Sequence, residues 1–163
     1  MVYTLNIKVN KVSLLKEEEK SLNHFLVNLF NDILKIEEQQ LINEEYKDIS
    51  ITDMHVIEAI SYDSSRNMSS VAKDLGITMG TLTIAINNLV KKDYVKRTRS
   101  AKDRRVVLAC LTPRGQKAYK HHERFHEEMI QAINQQVDEE EMKVLMKLLD
   151  SLDTYFVLKY KKQ

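Results

Sequence analysis

Helix breakers are almost absent from this chain, and the place where they cluster limits what it can fold into. Its three glycines (Gly76, Gly80, Gly115) and single proline (Pro113) all fall between residues 76 and 115 of 163. The flanks, with nothing to interrupt an i→i−4 hydrogen-bond ladder, favour long helices, and the middle must hold the turns. The same positions exclude whole functions. Neither G-x-G-x-x-G nor G-x-x-x-x-G-K-[ST] can be written with these glycines, so the common dinucleotide and phosphate cradles are missing. The G-x-S-x-G turn of many esterases is missing as well. No triad, paired carboxylates or cofactor fingerprint stands out elsewhere, and an enzyme is not expected. The one cysteine, Cys110, excludes an internal disulfide framework. It lies in an apolar run and reads as a small buried hydrophobe. Charged residues make up 30% and hydrophobic ones 43%, which describes a folded, surface-charged chain. No apolar run nears the roughly 18 residues of a membrane helix, and no cleavable leader opens the sequence. A reducing cytoplasm and no membrane partner are therefore expected.

Residues 1–16 read as a tail. Leu5, Ile7 and Val9 alternate with Thr4, Asn6, Lys8 and Asn10, the period of a strand without a partner. From about 16 to 44 the period becomes helical: Leu22, Leu26, Leu29, Ile33 and Ile36 are spaced 4, 3, 4, 3, with Phe25 and Phe30 widening the seam. A second seam near the other end, Met142, Leu145, Leu149, Leu152 and Phe156, is spaced 3, 4, 3, 4. Before it, a helix at about 113–136 carries Phe125, Met129, Ile133 and Val137. Such seams usually close an ordinary core. Two of them flanking so small a middle are more than it can cover, and a homodimer interface is expected to take them.

The middle is compact. Ser50, with Asp53 three residues on, opens a helix over Ile51–Ser61 in the manner of a capping box, and Met54, Ile57 and Ile60 form its apolar face. A short helix follows at about 69–75, with Ser69 as its N-cap and Gly76 just past its end. Thr78 caps the next, at about 79–92, whose buried stripe is Leu82, Ile86 and Leu89. Short helix, tight glycine turn and second helix are the helix-turn-helix signature. Two β-rich runs, Tyr94–Thr98 and Arg105–Leu111, then bracket the polar, basic stretch Arg99–Arg104, a hairpin with a charged tip. Thr112 and Pro113 restart helix as N-cap and first residue.

A formal net charge of +1 hides a strong asymmetry. Residues 91–117 hold ten cations against Asp93 and Asp103, a balance of +8, whereas 17–45 carries −6. A charge run is ordinarily a solvated face. Directly behind a helix-turn-helix it lies where a duplex backbone would run. The second helix offers Gly80, Thr81 and Thr83 in its first turns and Asn87, Asn88 and Lys91 further along, residues suited to a major groove. Ser69 and Thr78 at the helix starts are further candidates for contact with DNA. The hairpin's Arg97, Arg99, Lys102, Arg104 and Arg105 suit the concentrated negative potential of a neighbouring minor groove. Asp103 cannot assist by charge, and is expected to hydrogen-bond or pair with Arg104 or Arg105 and hold the loop in shape.

The strings Met79-Gly80-Thr81-Leu82-Thr83, Leu89-Val90-Lys91-Lys92-Asp93-Tyr94-Val95, Ser100-Ala101-Lys102-Asp103-Arg104-Arg105 and Leu111-Thr112-Pro113-Arg114-Gly115 resemble the MarR family of winged helix-turn-helix regulators. The resemblance covers about 17–158. It implies a mainly α fold with a small β wing and a homodimer whose first and last helices form the dimerisation domain. With the tail 1–16 lying outside that pattern, the chain is expected to divide into this tail, a winged helix-turn-helix DNA-binding domain at 46–112, and dimerisation helices at 17–45 and 113–163. Asp103 and Arg105 match wing positions that the family uses for loop support and minor-groove contact. Asp93 departs from the pattern, since many members have glycine there, and its turn must accept a non-glycine residue.

The runs Phe25–Asn31, Lys47–Ile51 with Met54-His55, Asn87-Asn88-Leu89 and Arg124-Phe125-His126 resemble the FabT-like branch of that family. That branch implies a repressor of fatty-acid-synthesis genes on a near-palindromic operator, with long-chain acyl-acyl carrier protein as co-repressor and no other cofactor. Phe30, Ile33, Met54, Phe125 and Met129 are the candidates for lining a ligand pocket. His122 and His126, at i and i+4 on one helix, are weak metal candidates, because the sequence fixes no third ligand beside them. A regulator answering to zinc or to a small aromatic or lipophilic compound is the alternative. A winged helix that binds protein rather than DNA is a third reading, and the basic hairpin argues against it.

Overall fold

The computed structural model describes residues 2–43 and 45–160, with side chains from residue 16 onward. Helix α1 (Val2–Leu41) precedes α2 (Ile51–Ile60), the short strand β1 (Arg66–Asn67), α3 (Met68–Asp74), α4 (Met79–Lys91), the hairpin β2 (Val95–Arg99) and β3 (Val107–Leu111), and then α5 (Pro113–Asn134) and α6 (Glu139–Tyr160). Two compact units divide the chain, 1–119 and 120–163. The expected tail is corrected: α1 starts at Val2, so Leu5, Ile7 and Val9 lie on a helix. An alternation of a few residues could not outweigh a run with neither glycine nor proline to stop the helical ladder. The side chains of residues 1–15 fall outside the described ones.

Local chemistry sets the remaining boundaries. Ser50 Oγ accepts from Asp53 N at 3.1 Å and Asp53 Oδ2 accepts from Ser50 N at 3.2 Å, the reciprocal capping box that opens α2. The N-cap of α3 is Asn67 and not Ser69: Asn67 Oδ1 accepts from Ser69 N at 2.8 Å. The sheet causes the shift, because Arg66 and Asn67 pair with Ala109 and Leu108 and the chain leaves that pairing extended. The sheet is antiparallel in the order β1-β3-β2, with Val95 opposite Leu111 and Arg99 opposite Val107. Gly76, at φ +64°, ends α3 in the left-handed region that glycine accepts freely. In the second unit Asp138 caps α6, its carboxylate accepting from the backbone of Glu140 and Glu141 at 2.9 Å each.

The core of the first unit is built from Met54, Ile57, Ile60, Val71, Leu82, Ile86, Leu89, Tyr94 and Ala109, each with zero exposure. Tyr94 also ties the base of the hairpin to the turn ahead of α2. Its hydroxyl donates to Asp48 Oδ1 at 2.8 Å, and Arg114 Nη2 donates to the same oxygen at 3.1 Å. Arg114 Nη1 donates to Lys92 O at 2.8 Å, and the guanidinium carbon lies 4.2 Å from the centre of the tyrosine ring. Burial pushes the Tyr94 phenol well above its ordinary 10.0, the Asp48 hydrogen bond and charge add to the rise, and Arg114 opposes it.

A phenol that holds its proton more tightly in the fold than in the unfolded chain stabilises below the unfolded value, and that contribution is lost as pH climbs past it. Wild-type stability in urea should therefore fall from about pH 10 upward more steeply than that of Tyr94→Phe. At neutral pH the variant should be weaker by about 1 kcal/mol for the lost hydrogen bond. Parallel stability curves would show that Tyr94 does not carry the alkaline loss.

Candidate nucleic-acid interface

Helix α4 buries Leu82, Ile86 and Leu89 and leaves Gly80, Thr81, Thr83, Ile84, Asn87, Asn88 and Lys91 exposed. Its start is fixed by Thr78, whose Oγ1 accepts from Thr81 N at 3.1 Å and shares a 2.9 Å hydrogen bond with Thr81 Oγ1. Thr83 Oγ1 donates to Met79 O at 2.7 Å. Its proton is thus committed inside the helix, and the side chain offers a ligand an acceptor oxygen and a methyl group. Ser69 lies exposed on α3.

The end of α4 leads into the wing through Asp93, at φ +61°, the non-glycine turn expected there. Thr112 clamps this turn to the start of α5. Its hydroxyl donates to Asp93 O at 2.5 Å and accepts from Gly115 N at 3.1 Å. In the wing, Lys96, Arg97, Arg99, Lys102, Arg104 and Arg105 are all exposed. Among the described residues none of the six takes part in an ion pair. Asp103 shapes the tip as expected, through backbone groups: its Oδ1 accepts from Arg105 N at 2.9 Å and its carbonyl from Val106 N at 3.0 Å. Ser100 Oγ accepts from Lys102 N at 3.2 Å on the other limb.

Two cations of the basic run are half-exposed and paired with acids. Arg114 is held by Asp48, and Lys92 Nζ lies 3.7 Å from Asp53 Oδ2. The outward positive charge is accordingly concentrated on the wing. Cys110 is buried, its thiol donating to Lys96 O at 3.6 Å.

The other candidates are dispersed. Met54 belongs to the core, whereas Phe30 is 53% exposed on α1. Ile33 is half-buried on α1, and in the second unit Phe125 and Met129 are half-buried on α5. A cavity of about 360 Å³ on α1 is lined by Ser21, His24, Phe25, Asn28, Leu29 and Asp32, none of them among the five pocket candidates. His122 and His126 bring their Nε2 atoms to 2.9 Å, hydrogen-bond distance. The seam residues Leu22, Phe25, Leu29 and Ile36 on α1, and Leu149 and Phe156 on α6, are each at least 39% exposed. No described helix is long and apolar enough to cross a membrane.

A short helix, a tight turn, an exposed second helix and a basic hairpin together define a winged helix-turn-helix. Residues 38–122 match the family model for the transcriptional regulators SarA/Rot. A solved complex of Streptococcus pneumoniae FabT with DNA is 40% identical, covering 84% of this chain and 96% of that one at a TM-score of 0.77. A Staphylococcus aureus MepR mutant bound to an oligodeoxyribonucleotide is 26% identical over 80% of this chain and 96% of that one, at a TM-score of 0.56. The regulator SarZ of Staphylococcus aureus (strain USA300) is 39% identical over 72 residues, 44% of this chain and 48% of SarZ. The chain thus spans about half the length of the curated relatives it matches. It belongs to the MarR and SarA/Rot family of winged-helix transcriptional regulators, which are not enzymes.

Proposed function

We propose that this protein is a cytoplasmic, sequence-specific DNA-binding repressor that works as a homodimer. It controls fatty-acid-synthesis genes, and long-chain acyl-acyl carrier protein is its co-repressor. The observation that carries the DNA reading is the pairing of an exposed α4 with a wing whose six outward cations form no ion pair among the described residues. A helix fits the major groove, and free arginines and lysines displace the counterions of the backbone beside it. The exposed apolar seams of α1 and α6 support the dimer, since each leaves an amphipathic face that a second copy would bury. In a dimer the two α4 helices would meet half-sites about one helical turn, roughly 34 Å, apart. The fatty-acid role is supported by the likeness to FabT.

The test is native mass spectrometry of the full chain, joined to anisotropy titration of a duplex selected from a random-sequence library. The expected result is a dimer bound to one duplex. Acyl carrier protein loaded with a long acyl chain should tighten the complex about 5- to 150-fold, the usual size of an allosteric coupling. A monomer on the duplex would refute the dimer. Indifference to the loaded carrier, with binding intact, would refute the co-repressor. A second reading keeps the same DNA binding and makes zinc the effector, on the strength of the close approach of His122 and His126. Zinc in place of the carrier in the same titration decides between them.

A further inference from the structure

The outward line of α4 is not the polar face that a surface helix ordinarily turns to water. Each residue advances about 100° around the axis. With Leu82, Ile86 and Leu89 buried, the line opposite them runs through Gly80, Ile84, Asn87 and Lys91. Ile84 stands at its centre and is 65% exposed, more than any other large apolar side chain described. It is not part of a seam: Thr83, Asn87 and Asn88 surround it on the helix surface, and the apolar rows of α1 and α6 are on other elements. A β-branched side chain in a helix is held largely in one rotamer, so its shape is set before any partner arrives.

The major groove offers one apolar feature to such a group, the 5-methyl of thymine. The neighbours on α4 fit the same chemistry. Thr83, its proton already given to Met79 O, presents a methyl group and an acceptor. Asn87, one turn on, carries the amide that pairs with the N6 and N7 edge of adenine. We propose that Ile84 is the specificity-determining residue of α4 and selects a thymine in each half-site by contact with its 5-methyl group. The proposal rests on the DNA-binding reading above and adds the base chemistry that it reads.

The test begins with a duplex selected from a random library by the full-length wild-type chain. Each thymine is then replaced in turn by deoxyuridine, which removes only the methyl. Affinities are measured for wild type, Ile84→Ala and Ile84→Val. At one thymine per half-site, uracil should weaken the wild type about fourfold, the effect of exposing one methyl-sized group. Ile84→Ala should be indifferent at that base and follow the wild type at all others, and Ile84→Val should retain the discrimination. Because Ile84 lies off the core, both variants should melt with the wild type. A selected duplex with a flat uracil profile, or the same profile for wild type and Ile84→Ala, overturns the proposal and leaves DNA binding standing. A library from which nothing is enriched overturns both.

Discussion

Gly115→Ala should cost about 3 kcal/mol of folding stability, the upper end for overpacking, and lower the melting temperature by roughly 10 °C. A β-carbon at Gly115 would lie 2.0 Å from the carbonyl oxygen of Tyr94, 3.0 Å from its carbon and 3.3 Å from Leu111 Cβ. That carbonyl cannot give way, because it accepts from Thr112 N at 3.0 Å while Tyr94 N donates to Leu89 O at 2.9 Å. The added methyl must therefore push the start of α5 off the hairpin and break the Gly115–Thr112 cap. Gly80→Ala is the control with the opposite sign. Its new β-carbon would meet only Thr78 Oγ1, at an ordinary 3.7 Å, so alanine should add about 0.5–1 kcal/mol through helix propensity. Thermal melts of the two variants beside the wild type check both, and equal melting of Gly115→Ala and wild type would show that α5 does not bear on Tyr94.

Most of the winged region was legible because its signals are local. The reciprocal bonds of Ser50 and Asp53, the cap at Thr78, the left-handed Gly76 and the Thr112–Pro113 restart each act within four residues. What was missed depends on distant partners. Strand β1 has two residues, too few to show a period, and exists because Ala109 and Leu108 pair with it across the chain. That pairing also moved the cap of α3 from Ser69 to Asn67. Of the ten cations counted between 91 and 117, Lys92 and Arg114 are paired with acids at 53 and 48 that no local window of charge could connect with them.

The candidate site was legible as a region, less so as a list of residues. The readings of Thr81, Thr83 and Asn87 looked for polar groups able to meet bases, and so passed over Ile84, although the buried stripe Leu82, Ile86 and Leu89 already fixes which residue lies opposite it. The five pocket candidates shared only apolar character, which core and seam residues also have. Met54 became core and Phe30 an exposed seam residue, a division that the spacing of hydrophobic residues does not encode.

The double variant Arg104→Ala/Arg105→Ala should weaken binding to a selected duplex about a thousandfold at moderate salt, at about 1 kcal/mol for each of four lost contacts in a dimer. Its diagnostic is the salt dependence. Each phosphate contact contributes a slope of about −0.9 to log affinity against log salt, so the slope should become shallower by roughly 4. The tip backbone gives the reason to expect so clean an effect. Asp103 and Ser100 hold the loop through main-chain N–H groups, so cutting back the two arginine side chains leaves the frame of the wing in place. Arg114→Ala should behave in the opposite way. That guanidinium is committed to Asp48, to Lys92 O and to the face of Tyr94, and its loss should lower the melting temperature while the salt slope stays that of the wild type. A slope unchanged in the wing variant, or flattened equally in both, would show that the exposed cations of the hairpin are not what meets the DNA backbone.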